Sequence, residues 1–157
     1  MPSPAGKIAA AVKSERDSMQ ALLEALAEER QSLRAGDTDR LTDLGSRKRE
    51  LLLQIAQLGE HRSRLLRNAG FSPDLAGMRA LLNSSAATDE LRMEWRRLLE
   101  LTRDARQLNE ENGIFIEAGM RANQQALSVL VSAASGNTYG PGGRTTNPLT
   151  SRTLASA

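Results

Sequence analysis

Apolar residues recur seven apart in two successive stretches of this 157-residue chain, and that spacing narrows its fold more than any other feature. Val12, Met19, Leu26 and Leu33 form the first column; Leu44, Leu51, Leu58 and Leu65 form the second. A seven-residue apolar repeat is the seam of a helix packed lengthwise on another helix. Ile8, Leu22 and Leu23 widen the first seam, while Glu15, Glu24, Glu28, Arg30 and Arg34 occupy other faces. Gly36-Asp37 separates the columns. Glycine suits the left-handed residue that closes a helix, and Asp37 or Thr38 can cap the next one. So short a connection folds two long helices back antiparallel. The predicted spans are 8–35 and 38–68, with residues 1–7, which hold two prolines and a glycine, as a frayed leader.

The amino-acid usage points the same way. Leucine occurs 24 times and valine and isoleucine together 7 times, a ratio that favours helices over a sheet. With only four aromatic residues, Phe71, Trp95, Phe115 and Tyr139, the core has to be built from Leu, Ala and Met.

A column adjacent to the second seam reads Leu41, Lys48, Ile55, Arg62, Ala69, so two cations interrupt it. The second helix carries seven basic and four acidic residues, and residues 14–34 of the first carry five acids and three bases. This pattern reads as a solvated basic face pairing with the acids of its neighbour. No aromatic residues interleave for base stacking, and the net charge is only +2, so nucleic acid is not an expected partner.

Ser72 as cap, Pro73 at the first helical position and Asp74 in the first turn signal the start of a short elbow helix over 73–83, built on Leu75, Met78, Leu81 and Leu82. Thr88 can cap a third long helix over 88–134. Its seam runs Leu91, Trp95, Leu98, Thr102, Ala105, Asn109, Asn112, Ile116, Gly119, Asn123, Ala126, Leu130. Residues 136–157 are rich in Gly, Ser and Thr and are expected to be a flexible tail. The reading is an all-α fold: an antiparallel long-helix hairpin, a short elbow helix and a third long helix, forming one helical domain over 1–135 and a tail over 136–157.

Few residues here could support catalysis. There is no cysteine, hence no disulfide, thiolate metal site or cysteine nucleophile. The lone His61 cannot supply the two Glu-x-x-His pairs of a di-iron bundle, and no Gly-x-Ser-x-Gly elbow accompanies it. It reads as a surface helix residue. No Gly-rich phosphate loop follows a strand, since Gly140-Pro141-Gly142-Gly143 lacks both the strand and the lysine. No cofactor, metal or enzymatic activity is expected. The N-terminus has no apolar signal region and no apolar run reaches 18 residues, so a cytoplasmic chain without membrane insertion is expected.

The most informative feature is a change of composition within the third helix. Between residues 112 and 134 only Glu117 and Arg121 are charged, while Ile114, Phe115, Ile116, Met120, Leu127, Val129, Leu130 and Val131 point several ways around it. A helix apolar on several sides must be covered on several sides. Three coverings fit: the chain's own bundle core, a second copy, which would make the chain a self-associating coiled-coil protein, or a partner's amphipathic helix.

The stretch Lys48-x-x-Leu51-Leu52, the spacing Arg64 to Gly70, the run Asn109-Glu-Glu-Asn112-Gly113-Ile114-Phe115-Ile116 and the tail Thr138-Tyr139-Gly140-Pro141-Gly142-Gly143 resemble a FlgN-type flagellar export chaperone. The resemblance covers nearly the whole chain. It implies a cytosolic, non-enzymatic chaperone for the hook–filament junction proteins, delivering them to the flagellar type III export apparatus. It also implies that Asn109, Asn112, Gly113, Ile114, Phe115, Ile116, Met120, Leu127, Leu130 and Val131 bind the client, and that Tyr139 docks at the export gate.

Overall fold

The computed structural model describes residues 1–136, and these form four α-helices with no strand. They are α1 (Pro4–Ala35), α2 (Thr38–Asn68), α3 (Leu75–Leu82) and α4 (Asp89–Gly136). The chain divides into two compact units, Met1–Phe115 and Ile116–Ala157. The division therefore falls inside α4. Its cause lies in the side chains. Ala105 and Asn112 are the last buried residues, and every residue over 116–135 is exposed.

Local chemistry sets the helix ends. α1 starts earlier than the apolar period alone suggests, because Ser3 Oγ accepts a hydrogen bond from the Gly6 N–H (3.1 Å) and Pro4 takes the first helical position. The expected frayed leader is therefore largely helix, and Ala5 is already buried. Gly36 closes α1 in the left-handed region (φ 67°), as expected, and the Asp37 carboxylate then accepts from the Arg40 N–H at 3.0 Å. In the elbow the cap is Asp74, not Ser72: its carboxylate accepts from the Gly77 N–H (3.0 Å) and the Ser72 hydroxyl (2.7 Å). α3 thus begins two residues after Pro73. Thr88 Oγ1 caps α4 by accepting from the Leu91 N–H at 3.1 Å.

Within Met1–Phe115, α1 is the central helix. Thirteen of its residues are buried, against three of α2, because α1 is covered from more than one side. The ion pairs Glu29–Lys48 and Glu15–Arg62 show α2 running antiparallel to α1. Arg16–Glu94 and Arg30–Glu111 show α4 running parallel to it. The core between them is almost wholly aliphatic, with Ile8, Val12, Leu26, Leu51, Leu66, Met78, Leu81, Leu91 and Leu101 essentially sealed from solvent. Trp95 and Phe71 pack at its edge. Burying such side chains stabilises by about 1.5–3 kcal/mol each before entropy is counted.

The elbow leaves no room at Gly77. A Cβ there would sit 1.6 Å from the Ser72 carbonyl oxygen, which is backbone and cannot swing aside. Gly77→Ala is expected to pry α3 from the core, placing Met78 and Leu81 off register, at a cost of about 2 kcal/mol or more. Urea unfolding checks it: an unchanged midpoint would mean that the elbow relaxes freely.

Candidate functional site

Polar side chains close the Met1–Phe115 bundle at two levels. At one, the buried Glu29 carboxylate accepts from Lys48 Nζ (3.2 Å to Oε1, 3.0 Å to Oε2) and from Asn112 Nδ2 (3.0 Å). The same Asn112 amide donates to the Leu26 carbonyl at 2.9 Å, and its Oδ1 accepts from Arg30 Nε at 3.2 Å. Lys48 also reaches Asn109 Oδ1 at 3.3 Å. At the other level, the buried Glu15 carboxylate accepts from Arg62 Nε at 2.6 Å, and the Arg62 guanidinium lies over the Trp95 ring, 5.1 Å from its centroid. The two cations that interrupt the second seam are therefore the partners of two carboxylates inside the first helix. Sequence reasoning anticipated the pairing of the helices' charges but not that Glu15 and Glu29 are buried. Their spacing of two heptads, matched by that of Lys48 and Arg62, is the signal that marks them.

The residues singled out in the sequence fall into two groups. Asn112 is 1% exposed, with its amide engaged by α1 on both sides, and Asn109 leans on Lys48. Asn112 thus fastens α4 to the hairpin from inside the bundle, while Asn109 stays exposed beside Lys48. Gly113 is half-buried, and α4 passes through it without a break. Ile114 and Phe115, at the end of the first unit, are exposed. In the second unit Ile116, Met120, Leu127, Leu130 and Val131 are all exposed, between 38% and 65%. Ile116, Met120, Leu127, Leu130 and Val131 follow helical spacing and line one side of α4, a stripe about 21 Å long from Ile116 to Leu130. Tyr139 lies outside the described residues.

The remaining candidates are placed simply. His61 is exposed on α2. Among the described residues no group of His, Asp or Glu could hold a metal ion, and no helix is long and apolar enough to cross a membrane.

The Glu29 cluster is testable by pairwise removal. Lys48→Met leaves a buried carboxylate with only an amide partner and is expected to cost about 2 kcal/mol, less than a fully buried pair because Lys48 is partly solvated. Adding Glu29→Gln should recover part of that loss, measured by urea denaturation; a double variant no better than the single one would show that the two groups do not act as a pair.

At the same level the Arg30 guanidinium, helped by the Gln107 amide, holds the Glu111 carboxyl below the ordinary carboxylate range. A lowered folded-state pKa stabilises fully above the unfolded value of 4.5 and is lost as pH falls through the folded value. Glu111→Gln should therefore melt below wild type at pH 7, and the two midpoints should converge in acid. A gap that persists at low pH would assign the effect to packing.

The family model for "FlgN protein" matches residues 5–147. The "Flagella synthesis protein FlgN" of Salmonella typhimurium (strain LT2) is 32% identical over 94 residues, 59% of this chain and 65% of that protein. The protein of the same name from Salmonella typhi matches to the same extent. The chain thus spans 65% of the length of the curated relatives it matches. No solved structure matches. A family match running from the first turn of α1 past the end of α4 leaves one assignment: this chain belongs to the FlgN family.

Proposed function

We propose that this chain is a non-enzymatic chaperone of flagellar assembly that holds an unassembled flagellar protein on the apolar stripe of α4 and brings it to the export apparatus. The observation that carries the reading is the stripe itself. Ile116, Met120, Leu127, Leu130 and Val131 are exposed in a segment with only two charged residues, where water gains nothing from contact with them. An amphipathic client helix laid along such a stripe buries its own apolar face as well as the chaperone's. Met120 adds an adaptable contact. Membership of the FlgN family and the names of the relatives support the flagellar setting. The clients that fit this reading are the hook–filament junction proteins, and the place of action is the cytoplasm. Asn109, Gly113, Ile114 and Phe115 belong to the proposed contact set, whereas Asn112 acts by fastening α4 to the hairpin. Tyr139 is assigned to the export gate on the strength of the tail's resemblance to that family.

Ile116→Asp places a charge in the stripe without touching a buried residue. Affinity for a purified hook–filament junction protein, measured by calorimetry, is expected to fall by about 30-fold or more, while the circular dichroism spectrum stays that of wild type. Leu130→Asp should act alike. Retained binding in both variants would remove the stripe as the client site. A wild-type chain that binds no such protein but forms dimers disrupted by either change would instead identify it as a self-association surface.

A further inference from the structure

An unfilled space opens beside the Lys48–Asn109 level of the first unit. Lys48–Asn109 and Arg62–Trp95 both bridge α2 to α4, and they stand two heptads apart on each helix, about 21 Å. Between them the floor is α1, with Met19, Leu22 and Leu26. On the α4 wall stand Thr102 and Ala105, too small to reach across, while Leu52 on the α2 wall is 51% exposed. The result is an open notch of about 180 Å³, lined mainly by carbon. An engineered apolar cavity of about 150 Å³ is enough to hold a benzene.

One cation on the rim has nothing to pair with. Lys48 is engaged by Glu29 and Asn109, but Arg106 makes no ion pair or hydrogen bond among the described residues. Thr102 turns its hydroxyl back to the Leu98 carbonyl at 2.7 Å, so the notch wall presents little that demands water. A hole sized for one ring, an exposed leucine beside it and a free guanidinium at its edge are complementary to one kind of surface.

We propose that this notch is a second docking point, which receives one phenylalanine- or leucine-sized side chain of an amphipathic partner helix whose carboxylate, one turn away, pairs with Arg106. It contains no residue of the stripe proposed for the client, and it stands or falls independently of that reading.

The probe is a synthetic 21-residue helical peptide of Ala, Gln and Glu with a single central Phe and a Glu four residues beyond it, followed by fluorescence anisotropy on the full chain. Wild type is expected to bind it, and replacing the Phe by Ala should weaken binding by about 10-fold or more. Ala105→Met and Thr102→Leu fill the notch. Both should lose the peptide while the thermal midpoint stays at or above wild type. Arg106→Glu alters only an exposed side chain and should prefer a peptide carrying Lys in place of that Glu, reversing the wild-type order. Absence of binding up to the peptide's solubility limit overturns the proposal, and so does binding indifferent to both the filled notch and the charge reversal. Filled variants that gain stability in a protein that binds no peptide would mark the notch as a packing gap.

Discussion

Two carboxylates buried inside α1 govern the arrangement of the first unit. An ion removed from water costs several kcal/mol unless a partner of opposite charge and further hydrogen bonds replace its hydration. Glu15 and Glu29 meet that demand with Arg62 and Lys48. The leucine seams alone would tolerate a slide of one heptad, since Leu44, Leu51, Leu58 and Leu65 are chemically alike. The charges would not tolerate it. A seven-residue shift of α2 along α1 separates both cations from both acids and leaves at least one carboxylate buried without a partner. The hydrophobic pattern makes the hairpin, and the ion pairs choose its register.

The same two groups place α4. Glu29 receives Asn112 as well as Lys48, and Arg62 lies on Trp95 while it binds Glu15. Each level is therefore a three-helix junction rather than a pairwise bridge, and α4 is held at points two heptads apart. Between the junctions the chain can use small residues at Thr102 and Ala105 without losing alignment, because alignment is not set there. The open space beside Leu52 follows from that division of labour.

Much of this was legible in the sequence because it rests on local rules. The heptad columns give α1 and α2, Gly36 and Asp37 give the turn, Thr88 gives the start of α4, and the spans agree to within a few residues. Where the reading departs from the structure, a cap outweighed a composition signal. Two prolines suggested a frayed leader, yet Ser3-Pro4 is a helix start; Ser72-Pro73 suggested a cap, yet the carboxylate of Asp74 is the better acceptor for Gly77. The roles of Asn109 and Asn112 were not legible from the motif. The family resemblance implied client binding at both, and only the three-dimensional proximity of Leu26, Glu29 and Arg30 shows that the Asn112 amide is engaged within the bundle.

Beyond Asn112 the physical logic of α4 changes. Up to that residue the helix is held by burial and by polar junctions; from Ile116 to Ser135 all its side chains are exposed and only Glu117 and Arg121 carry charge. Helices in water owe most of their stability to packing of one face, and a segment of about 20 residues is marginal on propensity alone. Gly113 and Gly119 lower that propensity by about 1 kcal/mol each relative to alanine. Space does not require them, since a Cβ at either position would meet no atom within 4 Å. The apolar stripe thus sits on the segment with the least intrinsic reason to stay helical. Anything that covers Ile116, Met120, Leu127 and Leu130 removes exposed carbon from water and also supplies the packed face that the helix otherwise lacks. On the proposed reading, part of the energy gained by covering the stripe would go into holding the segment helical, which would moderate affinity.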